Sequence, residues 1–229
     1  MSTSRRSFLG WLGRASLLGA VTSPSLLQGE SRATAGGAPK GHALPMGEKW
    51  DMSWTSRVTG KYKAVFDSPE ASEGAALFRA VAWTEQYKEI YDVDRSELST
   101  VVVLRHLGFH FAMNDEFWDR YEVGKELKMR DKHGKKWAKV NPLGPTVDTD
   151  EKDRKYGLAE FQKAGGIVLV CGWSFSGAAS QIAKQEKLEK DAARAKAKAM
   201  LLPGMILQPN GVFAALRAQE AGCSYIDAS

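Results

Sequence analysis

Cysteine and histidine are scarce in this chain of 229 residues, which holds two of the first and four of the second. Cys171 and Cys223 form no C-x-x-C pair and no C-x-x-C-H haem-attachment run, so the usual sequence signatures of zinc, dithiol and c-type haem sites are missing. The last histidine is His133. That position removes a hydrolase reading of Gly172-Trp173-Ser174-Phe175-Ser176, because such a strand-to-helix elbow needs its catalytic histidine downstream of the serine. Uninterrupted apolar runs are also lacking. Arg14 and Pro24 break the N-terminal one before it reaches the roughly 18 residues of a spanning helix. No internal repeat is visible.

What the N-terminus does contain is an ordered set of signals. Ser4-Arg5-Arg6-Ser7-Phe8-Leu9-Gly10 precedes a moderately apolar stretch to about Leu27, and Ala33-Thr34-Ala35 supplies a small-x-small cleavage pattern. Paired arginines followed by Ser-Phe-Leu resemble a twin-arginine export signal, so residues 1–35 are expected to be removed and the protein to work in the periplasm. No stable membrane insertion is expected after cleavage, and no cysteine follows the apolar stretch to take a lipid anchor. The discarded segment holds Arg5, Arg6, Arg14 and Arg32 against Glu30 alone, so cleavage takes the net charge from +5 to +2. A nucleic-acid partner, which needs a strong basic face, is not expected.

About 194 residues remain, enough for one domain with a real core. Residues 36–60, rich in Gly, Ser and Thr, read as an extended arm whose Trp50 and Trp54 pack on the domain or on a neighbouring subunit. Tyr62–Asp67 is β-prone and ends in the turn signal Asp67-Ser68-Pro69. Leu77, Val81, Trp83, Tyr87 and Ile90 have helical spacing over 71–91. Thr100–Leu104 is a continuous β-branched run and Ile167–Cys171 a second candidate of the same kind, as expected of strands covered on both faces.

Asn114 and Asp115 look like caps of a helix to about Met129, and 130–150 reads as a polar loop or hairpin. Further helices are expected over 151–164, 178–200 and 211–221, with a closing strand at 223–226. Strands alternating with helices predict an α/β domain over 61–229, a three-layer flavodoxin-like open sheet of mainly parallel strands with helices on both faces.

In such a sheet ligands sit beyond the carboxyl ends of the strands. Strand 100–104 runs into Arg105-His106-Leu107-Gly108-Phe109-His110, and strand 167–170 into Cys171-Gly172-Trp173-Ser174. Both are expected to project to one rim, with Cys171 and His106 facing each other. An imidazolium or a helix N-terminus beside a thiol favours the nucleophilic thiolate. The competing reading of Cys171 is a small buried core residue. Arg105 fits either an anionic substrate or an ion pair with a neighbour. No metal site and no cofactor are expected. A Cys171–Cys223 disulfide is not expected either. One cysteine ends a strand and the other begins one, roughly 17 Å apart in a parallel sheet against a limit of about 7 Å.

The C-terminal third carries Ile167-Val168-Leu169-Val170-Cys171-Gly172, then Leu202-Pro203-Gly204, Pro209-Asn210-Gly211-Val212 and Gln219-Glu220-Ala221-Gly222-Cys223-Ser224-Tyr225-Ile226. In this order these motifs resemble the DsrE/DsrF-like sulfur-relay family, over about 165–229 and back towards residue 60. The strand at 100–104 with Gly108 fits the family's second strand. The resemblance implies a flavodoxin-like sheet, assembly into homotrimers or hexamers, and a cysteine that carries sulfur. Cys171 matches the cysteine shared by many exported members. The loop at 130–150 and the helix at 178–200 are longer than the family's.

Two functions from different classes follow. In the first, a small sulfur-containing ligand is bound or carried at Cys171, with His106 as activator and Gly108, His110, Asn114, Gly172 and Ser174 lining its site. In the second, the same fold is a non-catalytic oligomeric module that binds a small ligand or a partner in the periplasm. An accessory role through the Trp50/Trp54 arm and the 178–200 helix is a variant of the second.

Overall fold

The computed structural model describes residues 50–146 and 150–229. The expected export signal, most of the 36–60 arm and residues 147–149 of the loop lie outside the described residues. Five strands form one fully parallel sheet: β1 (Tyr62–Ser68), β2 (Leu98–Leu104), β3 (Ile167–Cys171), β4 (Ile206–Gln208) and β5 (Ser224–Asp227), in the order β4-β3-β2-β1-β5. β2 and β3 are buried at every position, which is why β3 is an unbroken apolar run and β2 carries Val101–Leu104 after the buried hydroxyls of Ser99 and Thr100. The register pairs Val65 with Val101, Val101 with Ile167, and Cys171 with Gln208.

Alternate residues of each strand feed two cores. Phe66, Val102, Leu104, Val168 and Val170 face α1 (Ala75–Tyr91), α2 (Asp115–Arg120), α4 (Leu158–Lys163), α5 (Gly172–Glu186) and α6 (Lys190–Ala199). A short α3 (Val123–Glu126) adds Val123 to the same side. Val65, Val101, Val103, Ile167 and Leu169 face α7 (Gly211–Glu220) and a 3-10 turn at Ser53–Arg57. The three layers are therefore unequal. α7 presents only alanines, Ala214, Ala215 and Ala218, and Trp54 with Val58 fills the rest of that face. Trp54 is fully buried, so this arm tryptophan packs on its own domain.

Three helices expected to be continuous are broken. The 114–129 stretch divides into α2 and α3 at Glu122, whose φ is 51°. The 151–164 stretch is a 3-10 turn, Glu151–Tyr156, followed by α4. The helix placed over 178–200 starts earlier, directly at Gly172, and stops at Lys187, which takes a left-handed φ of 53° before α6 begins. Side chains account for this last break. Glu186 Oε1 accepts from Tyr121 Oη (2.6 Å) and Arg120 Nη1 (3.2 Å), and Oε2 accepts from Lys196 Nζ (2.5 Å), folding α6 back on α5. The triplet Ile206–Gln208 is a strand, β4, which periodicity did not single out because three residues are too few to show a period.

The hydrogen bonds of Lys196 and Tyr121 hold the Glu186 carboxyl down to about 2, from 4.5. A carboxyl lowered by folding stabilises above its unfolded value and loses that contribution as pH falls towards its folded one. The melting temperature is therefore expected to fall between about pH 4.5 and pH 2, and Glu186→Gln to flatten that segment of a melting-temperature profile.

The 130–146 stretch is a hairpin-like loop with an antiparallel bridge between Arg130 and Trp137, whose ring the Arg130 guanidinium covers at 3.6 Å. Asn141 ties it down. This buried amide donates from Nδ2 to the carbonyls of Phe111 and Met113, both at 2.7 Å. Among the described residues no helix is long and apolar enough to cross a membrane.

Candidate functional site

The connections from β1, β2 and β3 run on the side of α1, α4 and α5, whereas that from β4 runs through α7 on the opposite side. Chains leaving neighbouring strands to opposite faces open a crevice at their carboxyl ends, here between β3 and β4. Cys171 ends β3 and Gln208 ends β4 as its register partner, so the thiol stands at the position that topology favours. It is also the N-terminal residue outside α5 and makes no capping bond.

The crevice is filled by the chain itself. A Cβ on Gly172 would lie 2.5 Å from the Gln208 carbonyl oxygen, 2.8 Å from that of Pro209 and 3.0 Å from the Trp50 ring. Only a glycine fits there, and it is the main chain at the end of β4, with the Trp50 ring behind it, that makes the close approach. Gln208 is fully buried and donates Nε2 to the carbonyls of Asp51 (2.9 Å) and Leu207 (3.0 Å). Cys171 is 5% exposed.

The expected meeting of thiol and imidazole does not occur. His106 takes a φ of 48°, its side chain is 66% exposed, and Nδ1 lies 3.6 Å from Glu70 Oε1. Among the described residues no hydrogen bond links His106 to Cys171. What joins the two segments is a main-chain to side-chain bond, His106 N–H donating to Ser174 Oγ at 3.0 Å. The physical reason lies in β2. Residues alternate faces along the strand, and the left-handed turn at His106 sends the chain into a 3-10 helix, His106–Ala112, running across the strand ends.

The remaining expected ligands are engaged in structure. Gly108 abuts β1, where a Cβ would fall 2.3 Å from the Ser68 carbonyl oxygen. His110 donates Nδ1–H to the Leu107 carbonyl at 2.9 Å, which leaves Nε2 towards Glu126 at 3.8 Å, and its own carbonyl accepts from Trp118 Nε1. Asn114 caps α2 by accepting from Phe117 N–H at 3.1 Å, the role its sequence position suggested. Among the described residues no group of three His, Cys, Asp or Glu side chains is placed to hold a metal ion.

Sequence reasoning missed the main electrostatic feature of the rim. Asp67, 1% exposed, accepts Arg105 Nε at 2.8 Å and Nη2 at 2.8 Å, and Tyr225 Oη at 2.7 Å. Arg105 thus makes the ion pair foreseen as one of its two roles, and its stem packs against Gly211 under the first turn of α7. The Asp67 bonds raise the Arg105 guanidinium further and push the Tyr225 phenol upwards, so both stay protonated. Asp67 was read as a turn residue, and nothing local signals that β5 returns beside it.

Both cysteines are free and buried, at opposite ends of the sheet with β2 and β1 between their strands. Burial pushes the Cys223 thiol up to about 11, so it stays a neutral core group. No protein-family model matches this chain. No curated protein matches it either.

Proposed function

We propose that this protein is an exported DsrE-like module that works by binding, as a homotrimer or hexamer in the periplasm, and not by turnover at a thiol. One observation carries the reading: apolar side chains stay exposed on α7 and along the edge strand β5. All four residues of β5 are exposed, and its outer edge is unpaired. Val212 and Leu216, one turn apart on α7, are 55% and 54% exposed; on β5 Tyr225, the register partner of Val65, is exposed on the α7 side of the sheet, and Ile226, the partner of Phe66, is exposed on the other side. An open strand edge next to exposed aliphatic side chains is a contact surface in a stable protein.

The occupant is a second copy of this chain. The resemblance implies a homo-oligomer, and Val212, Tyr225 and Ile226 belong to the very motifs that carry it. The buried thiol, the diverted imidazole and the filled crevice support binding over chemistry. Export rests on the Arg5-Arg6 signal.

The sulfur-carrier reading keeps one observation in its favour. Cys171 precedes the uncapped first turn of a 15-residue helix at the β3–β4 crevice, where a persulfide anion would meet free N–H groups. Native mass spectrometry of protein purified from its own compartment tests both readings in one spectrum. A trimer or hexamer without added sulfur is expected, and the Val212→Asp/Leu216→Glu double variant is expected to be monomeric with its circular-dichroism melt retained. A monomeric wild type at micromolar concentration overturns the binding reading. One extra sulfur atom on Cys171 puts the carrier reading in its place.

A further inference from the structure

At the other end of the sheet, by the amino ends of β2 and β3, a cavity of about 500 Å³ opens between α1, the Glu151–Tyr156 turn and α4. That volume is in the range of small-molecule sites, roughly 300–1,000 Å³. Val81 and Phe161 give it an apolar floor that belongs to the main core. Its walls are charged, and most of the charges are matched: Lys155 pairs with Glu85, and Lys163 lies 3.5 Å from Glu160.

Arg95 is one of three exceptions among the described residues, with Arg154 and the carboxylate of Glu151. It is half-buried, its Nη1 donates to the Leu98 carbonyl at 2.6 Å, and among the described residues no carboxylate pairs with it. Burial holds the guanidinium below its ordinary value. A guanidinium does not lose its proton in a protein, so the charge persists. Withdrawing a cation from water without a counter-charge is destabilising. Such a group is explained when an anion from outside completes it, and the planar fork of arginine matches an oxyanion with two parallel bonds. Arg154, on the same wall and without a salt bridge among the described residues, supplies a second fork.

We infer that this cavity binds a small organic oxyanion, its head held by Arg95 and Arg154 and its apolar body resting on Val81 and Phe161. The site lies away from the rim and stands whether or not α7 and β5 pair with a second copy.

Calorimetric titration of the full protein at low salt with benzoate, phenyl phosphate and the neutral analogue benzamide tests it. Saturable binding of at least one of the two anions is expected, with benzamide at least about tenfold weaker because the charge-assisted bonds are missing. Whichever anion binds identifies the head group. Arg95→Gln is expected to abolish binding while the melting temperature holds or rises, since an unmatched charge is removed. Arg154→Gln, which leaves the bond from Arg95 to Leu98 in place, is expected to weaken binding several-fold at unchanged melting temperature, and it decides the matter if Arg95→Gln fails to fold. Benzamide binding as tightly as the anions, neither anion saturating, or variants that fold and bind like wild type would each overturn the site.

Discussion

Replacing Trp54 by alanine is expected to lower the unfolding free energy by about 3–5 kcal/mol, the range for emptying a buried aromatic site. The indole is fully buried against Val65, Val101, Val103, Ile167 and Leu169, on the face where α7 offers only alanines. No neighbour has the reach to refill that space, so the cavity term adds to the lost transfer energy. Trp54→Phe isolates packing from polarity. Among the described residues Trp54 Nε1 has no hydrogen-bond partner, and a buried N–H left unmade is itself destabilising. The phenylalanine variant is therefore expected to lose only about 1 kcal/mol or less. Urea unfolding followed by circular dichroism measures both. An alanine variant within about 1 kcal/mol of wild type would show that the 3-10 turn of the arm is not part of the cooperative core.

Asp67→Ala is expected to cost about 3 kcal/mol, the low end for breaking a buried pair from one side, because Arg105 keeps some access to water. The change strips the guanidinium of three hydrogen bonds and the Tyr225 hydroxyl of its acceptor, so the tie between β5 and β1 is lost together with the charge match. Asp67→Asn keeps the shape and the Tyr225 bond and is expected to fall between the two. Adding Arg105→Met to Asp67→Ala should recover stability, since the uncompensated cation then goes as well. A double-mutant cycle in urea reads the coupling. Additive losses would mean that the pair is not coupled, and that β5 is held by its ladder bonds alone.

These two residues also mark how far the sequence could be read. Ile167–Cys171 was legible as a strand because burial on both faces imposes an unbroken apolar run, and Asn114 was legible as a cap because its oxygen reaches a main-chain N–H three residues on. Both signals are local. Asp67 was not legible as a charged anchor, since its partners lie 38 and 158 positions away. The break after Glu186 escaped notice for the same reason: Ala, Lys and Glu favour helix throughout 178–200, and only the grip of Lys196, Tyr121 and Arg120 on one carboxylate turns the chain back.

The candidate site shows the same division. The sequence places Cys171 and the Arg105–His106 step at the carboxyl ends of two central strands, and strand ends share a rim in any parallel sheet. That much follows from alternation and burial. Whether two side chains on that rim meet depends on a single backbone torsion at His106 and on which segment fills the crevice, and both are set by contacts between distant parts of the chain.

By itself, then, the sequence determined the fold class, the parallel strands and the position of the thiol, because periodicity and side-chain burial act along a few residues at a time. Only the tertiary structure decided that the imidazole turns to Glu70, that the arm seats Trp54 beneath the sheet and Trp50 against Gly172, and that Arg95 stands over a cavity with no counter-charge among the described residues. Those outcomes are choices among neighbours, and neighbours exist only once the chain has folded.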